Sequence, residues 1–104
     1  MQDTDFLIAV RHKRSEQMER YGIRHDHSIP RWALIISCEV GKLNHALEDL
    51  CRPVPENERG KHSEFKGTLK VKAAEQVYET AACMLAMLQE SPVFNPAVHE
   101  SFSA

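Results

Sequence analysis

Two polar pairs, each spaced three residues apart, are the part of this sequence best suited to chemistry. Glu39 and Lys42 form one pair, and Gln76 and Glu79 form the other. Each pair lies within an otherwise apolar segment, where a carboxylate is costly to bury unless it is paired or binds a metal ion. Acidic pairs at this spacing on facing helices can hold Mg²⁺ or Mn²⁺ through carboxylate oxygens. The structural alternative is that Lys42 forms an ion pair with Glu79 or Glu39.

Three amphipathic segments predict the helices that would position these pairs. Apolar residues recur every three or four positions over residues 5–21, 30–51 and 69–89, which is the period of an α-helix. On helical wheels, the two polar pairs lie on the same side of their apolar stripes. The predicted fold class is therefore all-α, built from antiparallel helical hairpins in a single domain over residues 1–104.

The segments between the helices carry capping and loop signals. Thr4 is predicted to cap the first helix, Gly22 to end it, and Ser28 to cap the second helix. Residues 52–67, rich in proline, glycine and charged residues, predict a loop that is either a functional lid or a flexible connection. Residues 91–104 are predicted to form an irregular tail.

The third segment also predicts self-association. Its last three turns are apolar around most of the helix circumference. A helix of that kind must be covered on more than one face, and three helices of one short chain provide too little cover. We therefore expect oligomerisation to complete the core, in a homodimer or homotetramer.

The composition narrows the choice of partners and compartment. The net charge of −2 gives no general attraction to nucleic acid or anionic membranes. A basic cluster at residues 11–14 is followed by Glu16 and Glu19, a mixture typical of a solvated helix face. No apolar run is long enough to span a membrane, and the three cysteines follow no metal-binding spacing. The expected location is the cytoplasm, without nucleic-acid or membrane partners.

Four short segments follow one another in the order and spacing of a known protein family. Residues 17–22, QMERYG, are similar to a Q-x-x-K-W-G segment, and Asp26 and Trp32 follow where that family often has an acidic residue and a tryptophan. Residues 35–42, IISCEVGK, are similar to an apolar-x-E-E-x-G-E segment, and residues 76–82, QVYETAA, to E-L-x-x-V-A-A. Together these segments resemble the MazG-like nucleotide pyrophosphohydrolases.

The resemblance covers about residues 11–89 and implies a MazG-like helical bundle. It also implies hydrolysis of a nucleoside triphosphate or a similar phosphoanhydride to monophosphate and pyrophosphate, with Mg²⁺ or Mn²⁺ as cofactor. Carried over position by position, the metal ligands would be Glu39 and Glu79. Lys42 and Gln76 stand where the family has two further acids, so that Gln76 would be a weaker, neutral ligand.

The resemblance and the inward face of the first helix together predict a substrate pocket. Glu39, Glu79 and Lys42 would be the catalytic residues, with Lys42 contacting phosphate as a point charge. The nucleotide would be bound by a further set of side chains: Arg14, Gln17, Arg20 and Trp32. Because an ammonium at Lys42 repels a metal ion, the alternative is a catalytically inactive MazG-fold oligomeric binding or interaction module.

Overall fold

The computed structural model describes three stretches of the chain: residues 1–24, 26–53 and 62–97, without the side chains of 62–66. These stretches contain three helices and no strand: α1 (Asp3–Tyr21), α2 (Ile29–Cys51) and α3 (His62–Glu90). The predicted all-α class is therefore confirmed. None of the helices in this part of the chain is long and apolar enough to cross a membrane.

The first helix begins earlier than predicted and ends where predicted. Its N-cap is Gln2, whose backbone N–H donates to Asp5 Oδ2 over 3.1 Å. The prediction of Thr4 as the cap is wrong, because Thr4 already lies in the first helical turn. Gly22 ends the helix with a φ of 70°, a left-handed conformation that glycine adopts without strain. Its N–H donates to the carbonyl of Met18 over 2.9 Å.

The second helix begins at the predicted cap. Ser28 Oγ accepts a hydrogen bond from the backbone N–H of Arg31 over 3.2 Å, which satisfies one of the free donors at the helix start. Pro30 lies in the first turn, where its missing N–H costs nothing. The helix ends at Cys51, in agreement with the predicted span.

The third helix begins at His62, seven residues before the predicted start at residue 69. Residues 62–67 of the predicted loop therefore belong to α3, and residues 54–61 lie outside the described residues. Gly67 was the reason to predict a loop at this point, since a glycine inside a helix costs about 1 kcal/mol relative to alanine. Of the predicted tail, residues 91–95 form a turn, 96–97 have helical backbone, and 98–104 lie outside the described residues.

The third helix is the centre of the fold. Both α1 and α2 pack against α3, and they contact each other only marginally. The buried apolar side chains lie mostly on α3: Val10, Trp32, Ala73, Ala82, Cys83 and Ala86. The α3 members of this set are small, which lets the neighbouring helices approach closely. Because α1 and α2 lie apart on α3, a groove remains between them.

Much apolar surface stays exposed on this three-helix unit. The second helix has a strongly amphipathic sequence, yet Trp32 is the only residue of its described length that is buried. Large apolar side chains are exposed on all three helices, among them Leu7, Ile8, Leu34, Leu47, Val71 and Leu88. Removing such side chains from water against a partner would be favourable. The packing therefore leaves room for a further partner.

Candidate functional site

A cavity of about 530 Å³ lies between α1 and α2, with α3 as its floor. Six of the residues predicted from the sequence line it: Gln17, Arg20, Glu39, Lys42, Gln76 and Glu79. The end of α1, the connector and the first half of α2 supply the other walls. The two predicted polar pairs do therefore meet in one place. Arg14 and Trp32 do not line this cavity.

Glu39 is held by Lys42 of its own helix and by Gln76 of α3. Lys42 Nζ lies 3.1 Å from Glu39 Oε1, and Gln76 Nε2 donates to Glu39 Oε2 over 2.7 Å. The backbone carbonyl of Glu39 also accepts from Gln76 Nε2 over 3.3 Å and from Thr80 Oγ1 over 3.4 Å. Both carboxylate oxygens of Glu39 are thus occupied by donors from the protein. The ion pair of Lys42 is with Glu39 on its own helix, not with Glu79.

Glu79 is held from the other side, by α1. Gln17 Nε2 donates to Glu79 Oε2 over 3.0 Å and to the Glu79 carbonyl over 3.2 Å. Lys13 Nζ lies 3.9 Å from Glu79 Oε1. Gln17 is only 1% exposed, and its amide orientation follows from the contact, because a carboxylate only accepts hydrogen bonds. The predicted inward orientation of Gln17 is therefore confirmed, and its contact is with Glu79.

Hydrogen bonding and burial fix the charge of two groups that line the cavity. The pKa of Lys42 is raised, first by its hydrogen bond to Glu39 and then by the charge of that carboxylate. Lys42 therefore carries its positive charge at neutral pH. Burial raises the pKa of the Cys83 thiol, so Cys83 is protonated and unreactive under the same conditions.

The donor set, as arranged, does not fit the divalent metal that the resemblance implies. Within the described stretches, no group of three or more His, Cys, Asp or Glu side chains comes together to hold a metal ion. The ammonium of Lys42 and the amide of Gln76 occupy the Glu39 oxygens that a metal ion would need. A cation entering this position would meet a fixed positive charge. This arrangement of donors therefore disfavours chemistry through Mg²⁺.

Cationic side chains outnumber acids around the cavity. Arg20, Arg24, Arg31 and Lys42 line it, together with the carboxylates of Glu39 and Glu79, both of which are already hydrogen-bonded to the protein. The cavity therefore has an excess of positive charge, which favours an anionic ligand. Guanidinium groups suit phosphate in particular, because their planar donors match its oxygens.

Arg14 and Trp32 lie outside the cavity lining, next to the groups that contact Arg24. Arg14 Nη2 lies 3.1 Å from Glu90 Oε2, and both side chains are largely buried. Trp32 is fully buried, with its ring centroid 5.0 Å from the guanidinium carbon of Arg24 and 5.2 Å from the ring of His27. The geometry gives both residues a supporting position rather than a direct contact with the cavity.

The sequence patterns did not identify three of the cavity's polar residues. Arg24 and His27 lie in the connector between α1 and α2, and Arg31 lies in the first turn of α2. A signal for them exists: with Arg20, they bring three arginines and a histidine into residues 20–31, directly before the only tryptophan. A connector predicted only as a turn gives no reason to single out these side chains.

No protein-family model, no curated protein and no solved structure matches this chain. The resemblance to the MazG-like family therefore stays a prediction that rests on the motif residues. The cavity, its charges and its hydrogen bonds are the observations from which function is inferred.

Proposed function

We propose that this chain is a divergent MazG-like protein whose cavity binds a nucleotide or a similar phosphate-bearing molecule. The observation that carries the proposal is the charge balance of the cavity. Arg20, Arg24, Arg31 and Lys42 face two carboxylates that the protein itself already satisfies. An anionic ligand would offset the remaining positive charge, and phosphate oxygens match the donors of arginine and lysine side chains.

Lys42 is the residue that takes the place of a metal ion in this proposal. Glu39 holds its ammonium at the edge of the cavity, while 64% of the Lys42 side chain stays exposed. An ammonium is a compact charge with three donors, so Lys42 can pair with Glu39 and still donate to a phosphate oxygen. Binding would then require no divalent cation.

The rest of the cavity suits an organic ligand of nucleotide size. Its volume of about 530 Å³ falls within the roughly 300–1,000 Å³ of small-molecule sites. Tyr21, Leu34 and Ile35 supply apolar lining beside the arginines. A ligand with one anionic end and one apolar, ring-shaped end would fill both parts.

Hydrolysis of the bound nucleotide to monophosphate and pyrophosphate is the second candidate. The observation in its favour is that Glu39 and Glu79, the two acids that match the family's pattern, line the same cavity. The MazG-like resemblance supplies the expectation of Mg²⁺ or Mn²⁺, and the Lys42–Glu39 pair opposes it. The two candidates share nucleotide binding and differ in turnover.

Calorimetric titration with a panel of nucleoside mono-, di- and triphosphates tests both candidates. We expect the wild-type protein to bind a triphosphate without divalent metal, and Lys42→Ala to weaken that binding about tenfold or more, because a hydrogen bond to a charged group is lost. Lys70→Ala, which removes an equal charge from an exposed position of α3, is the matched control and should leave the affinity unchanged. Absence of nucleotide binding by the wild-type protein would contradict the proposal.

Pyrophosphate release in the same samples, with and without Mg²⁺ or Mn²⁺, decides between binding and turnover. Metal-dependent release that Glu39→Ala abolishes would support the hydrolase. Binding without release would support the inactive module. Lys42→Glu restores an acidic pair with Glu39, and we expect this variant to gain Mg²⁺ binding and lose metal-free nucleotide binding.

Self-association is a separate proposal, supported by the apolar surface that the three helices leave exposed. We propose that a second copy of the chain covers exposed apolar side chains of α2 such as Leu47, in a homodimer or homotetramer. Sedimentation equilibrium should give a mass that is two or four times the 11.9 kDa of one chain. Leu47→Glu should shift the protein towards monomer, whereas Ser15→Glu, at an exposed position of α1, should not. A wild-type monomer at all concentrations would overturn the proposal.

A further inference from the structure

We propose that Arg20 and Arg24 together bind one phosphate group of the ligand. In this pair, Arg24 is the residue that is already fixed in position before the ligand binds. This inference rests on the proposed phosphate-binding function and assigns its binding residues. Both arginines line the cavity, although they come from different segments, the end of α1 and the connector. Both arginines contact the same side chain, that of Tyr21.

Both guanidinium groups lie against the ring of Tyr21. The guanidinium carbon of Arg20 lies 5.5 Å from the Tyr21 ring centroid, and that of Arg24 lies 5.4 Å from it. Each distance is within the range of a cation–π contact. The exposed Arg20 side chain can move about this shared ring towards Arg24, and a phosphate contacting both guanidinium groups would offset the repulsion between their charges.

Arg24 is fixed in place before any ligand arrives. Only 7% of the residue is exposed, and its guanidinium carbon lies 5.0 Å from the Trp32 ring centroid. Its backbone N–H donates to Glu90 Oε1 over 2.7 Å. An arginine held in this way loses little conformational entropy when it binds a ligand. Arg20 is exposed and is therefore free to adjust to the ligand.

The surroundings of Arg24 leave its charge and its donors incompletely satisfied. Arg14 and Arg24 share the single carboxylate of Glu90, at 3.1 Å and 4.0 Å from its Oε2. Two guanidinium charges therefore meet one negative charge in a buried environment. Arg24 Nε and Nη2 have no hydrogen-bond partner among the described residues, whereas buried donors are normally paired. A dianionic phosphate next to Arg24 would offset the excess charge, which a neutral ligand cannot do.

Trp32 provides a direct readout, because it is the only tryptophan in the chain and contacts Arg24. Titration with inorganic pyrophosphate, and then with a nucleoside triphosphate, should change its fluorescence in a saturable way. Sodium chloride at the same ionic strength should not. Arg24→Gln and Arg20→Gln should each weaken pyrophosphate binding about tenfold or more. Arg11→Gln, an exposed charge on α1 outside the cavity, is the control and should bind like the wild type.

Arg24→Lys and Arg20→Gln keep the test decisive if Arg24→Gln does not fold. Arg24→Lys keeps the charge but has no planar pair of donors, and we expect it to bind pyrophosphate several-fold more weakly than the wild type. Arg20→Gln changes an exposed side chain and should fold normally, as checked by circular dichroism. If the single variants Arg20→Gln and Arg24→Lys both bind pyrophosphate with wild-type affinity, the inference is wrong.

The outcomes separate this inference from the function on which it rests. If the wild-type protein binds neither pyrophosphate nor any nucleotide, both proposals fail. If the wild type binds nucleotide and Lys42→Ala weakens it, while the Arg20 and Arg24 variants bind normally, phosphate binding stands and the two-arginine assignment fails.

Discussion

Replacing Glu90 with glutamine is expected to lower the free energy of unfolding by about 3 kcal/mol or more, since removal of one partner from a buried ion pair typically costs about 3–5 kcal/mol. Glu90 is 5% exposed and is the carboxylate shared by Arg14 and Arg24. Without its charge, two guanidinium groups remain buried with no counter-ion. Urea denaturation followed by circular dichroism would measure the loss.

The charge imbalance of this cluster predicts an asymmetry between its members. Arg14→Met leaves the Arg24 guanidinium paired with the Glu90 carboxylate. It should therefore lower the free energy of unfolding clearly less than Glu90→Gln does. The double variant should recover part of the loss, because it leaves a single uncompensated charge. Equal losses from the two single variants would show that the excess charge has no energetic consequence.

A matched control is available on α1. Glu19→Gln removes the same charge from an exposed position, and a surface substitution of this kind usually changes stability by no more than about 0.5 kcal/mol. A comparable loss in Glu19→Gln and Glu90→Gln would mean that net charge, rather than the buried cluster, determines stability.

Replacing Trp32 with alanine is expected to cost about 3–5 kcal/mol, the usual range for removing a large aromatic side chain from a core. Trp32 is 0% exposed and is the buried residue of α2. Its ring also packs against Arg24 and His27, so its loss would open a cavity beside the connector. The measurement is again urea denaturation followed by circular dichroism, because the variant lacks tryptophan fluorescence.

Leu34 is the control for Trp32 on the same helix. Its side chain is 57% exposed, and Leu34→Ala should cost well under the loss expected for Trp32→Ala, because little buried apolar area is removed. Trp32→Phe should fall between the two. A loss below about 1 kcal/mol for Trp32→Ala would contradict the view that this residue anchors α2.

The helices themselves were predictable because their signals are local. The periodic apolar residues, Ser28 and Gly22 indicate the existence of α1 and α2 and most of their ends. The start of α3 was not predictable, because Gly67 weakens the helical pattern locally, while the 29-residue length of the helix outweighs that cost. Capping at Gln2 rather than Thr4 depends on one hydrogen bond to the side chain of Asp5, which periodicity does not encode.

The candidate site was predictable in its location but not in its pairings. Spacing placed the two polar pairs on matching faces, and Glu39 and Gln76 do meet across the helices, at 2.7 Å. Spacing did not determine that Lys42 would pair with Glu39 or that Gln17 would bind Glu79, because helix tilt and side-chain reach decide such choices. Arg24 and Glu90 lie 66 residues apart in sequence, a separation that no local pattern reveals.

The contact between Arg24 and Glu90 also affects the order in which the proposed binding site can be completed during synthesis. Arg24 belongs to the first quarter of the chain, whereas Glu90 is the last residue of α3. While the chain is being made, α1 and Arg24 leave the ribosome before the carboxylate of Glu90 does. Contacts between such distant residues form late, since the intervening chain must first be ordered. The proposed ligand site would therefore be complete only once the end of α3 has left the ribosome.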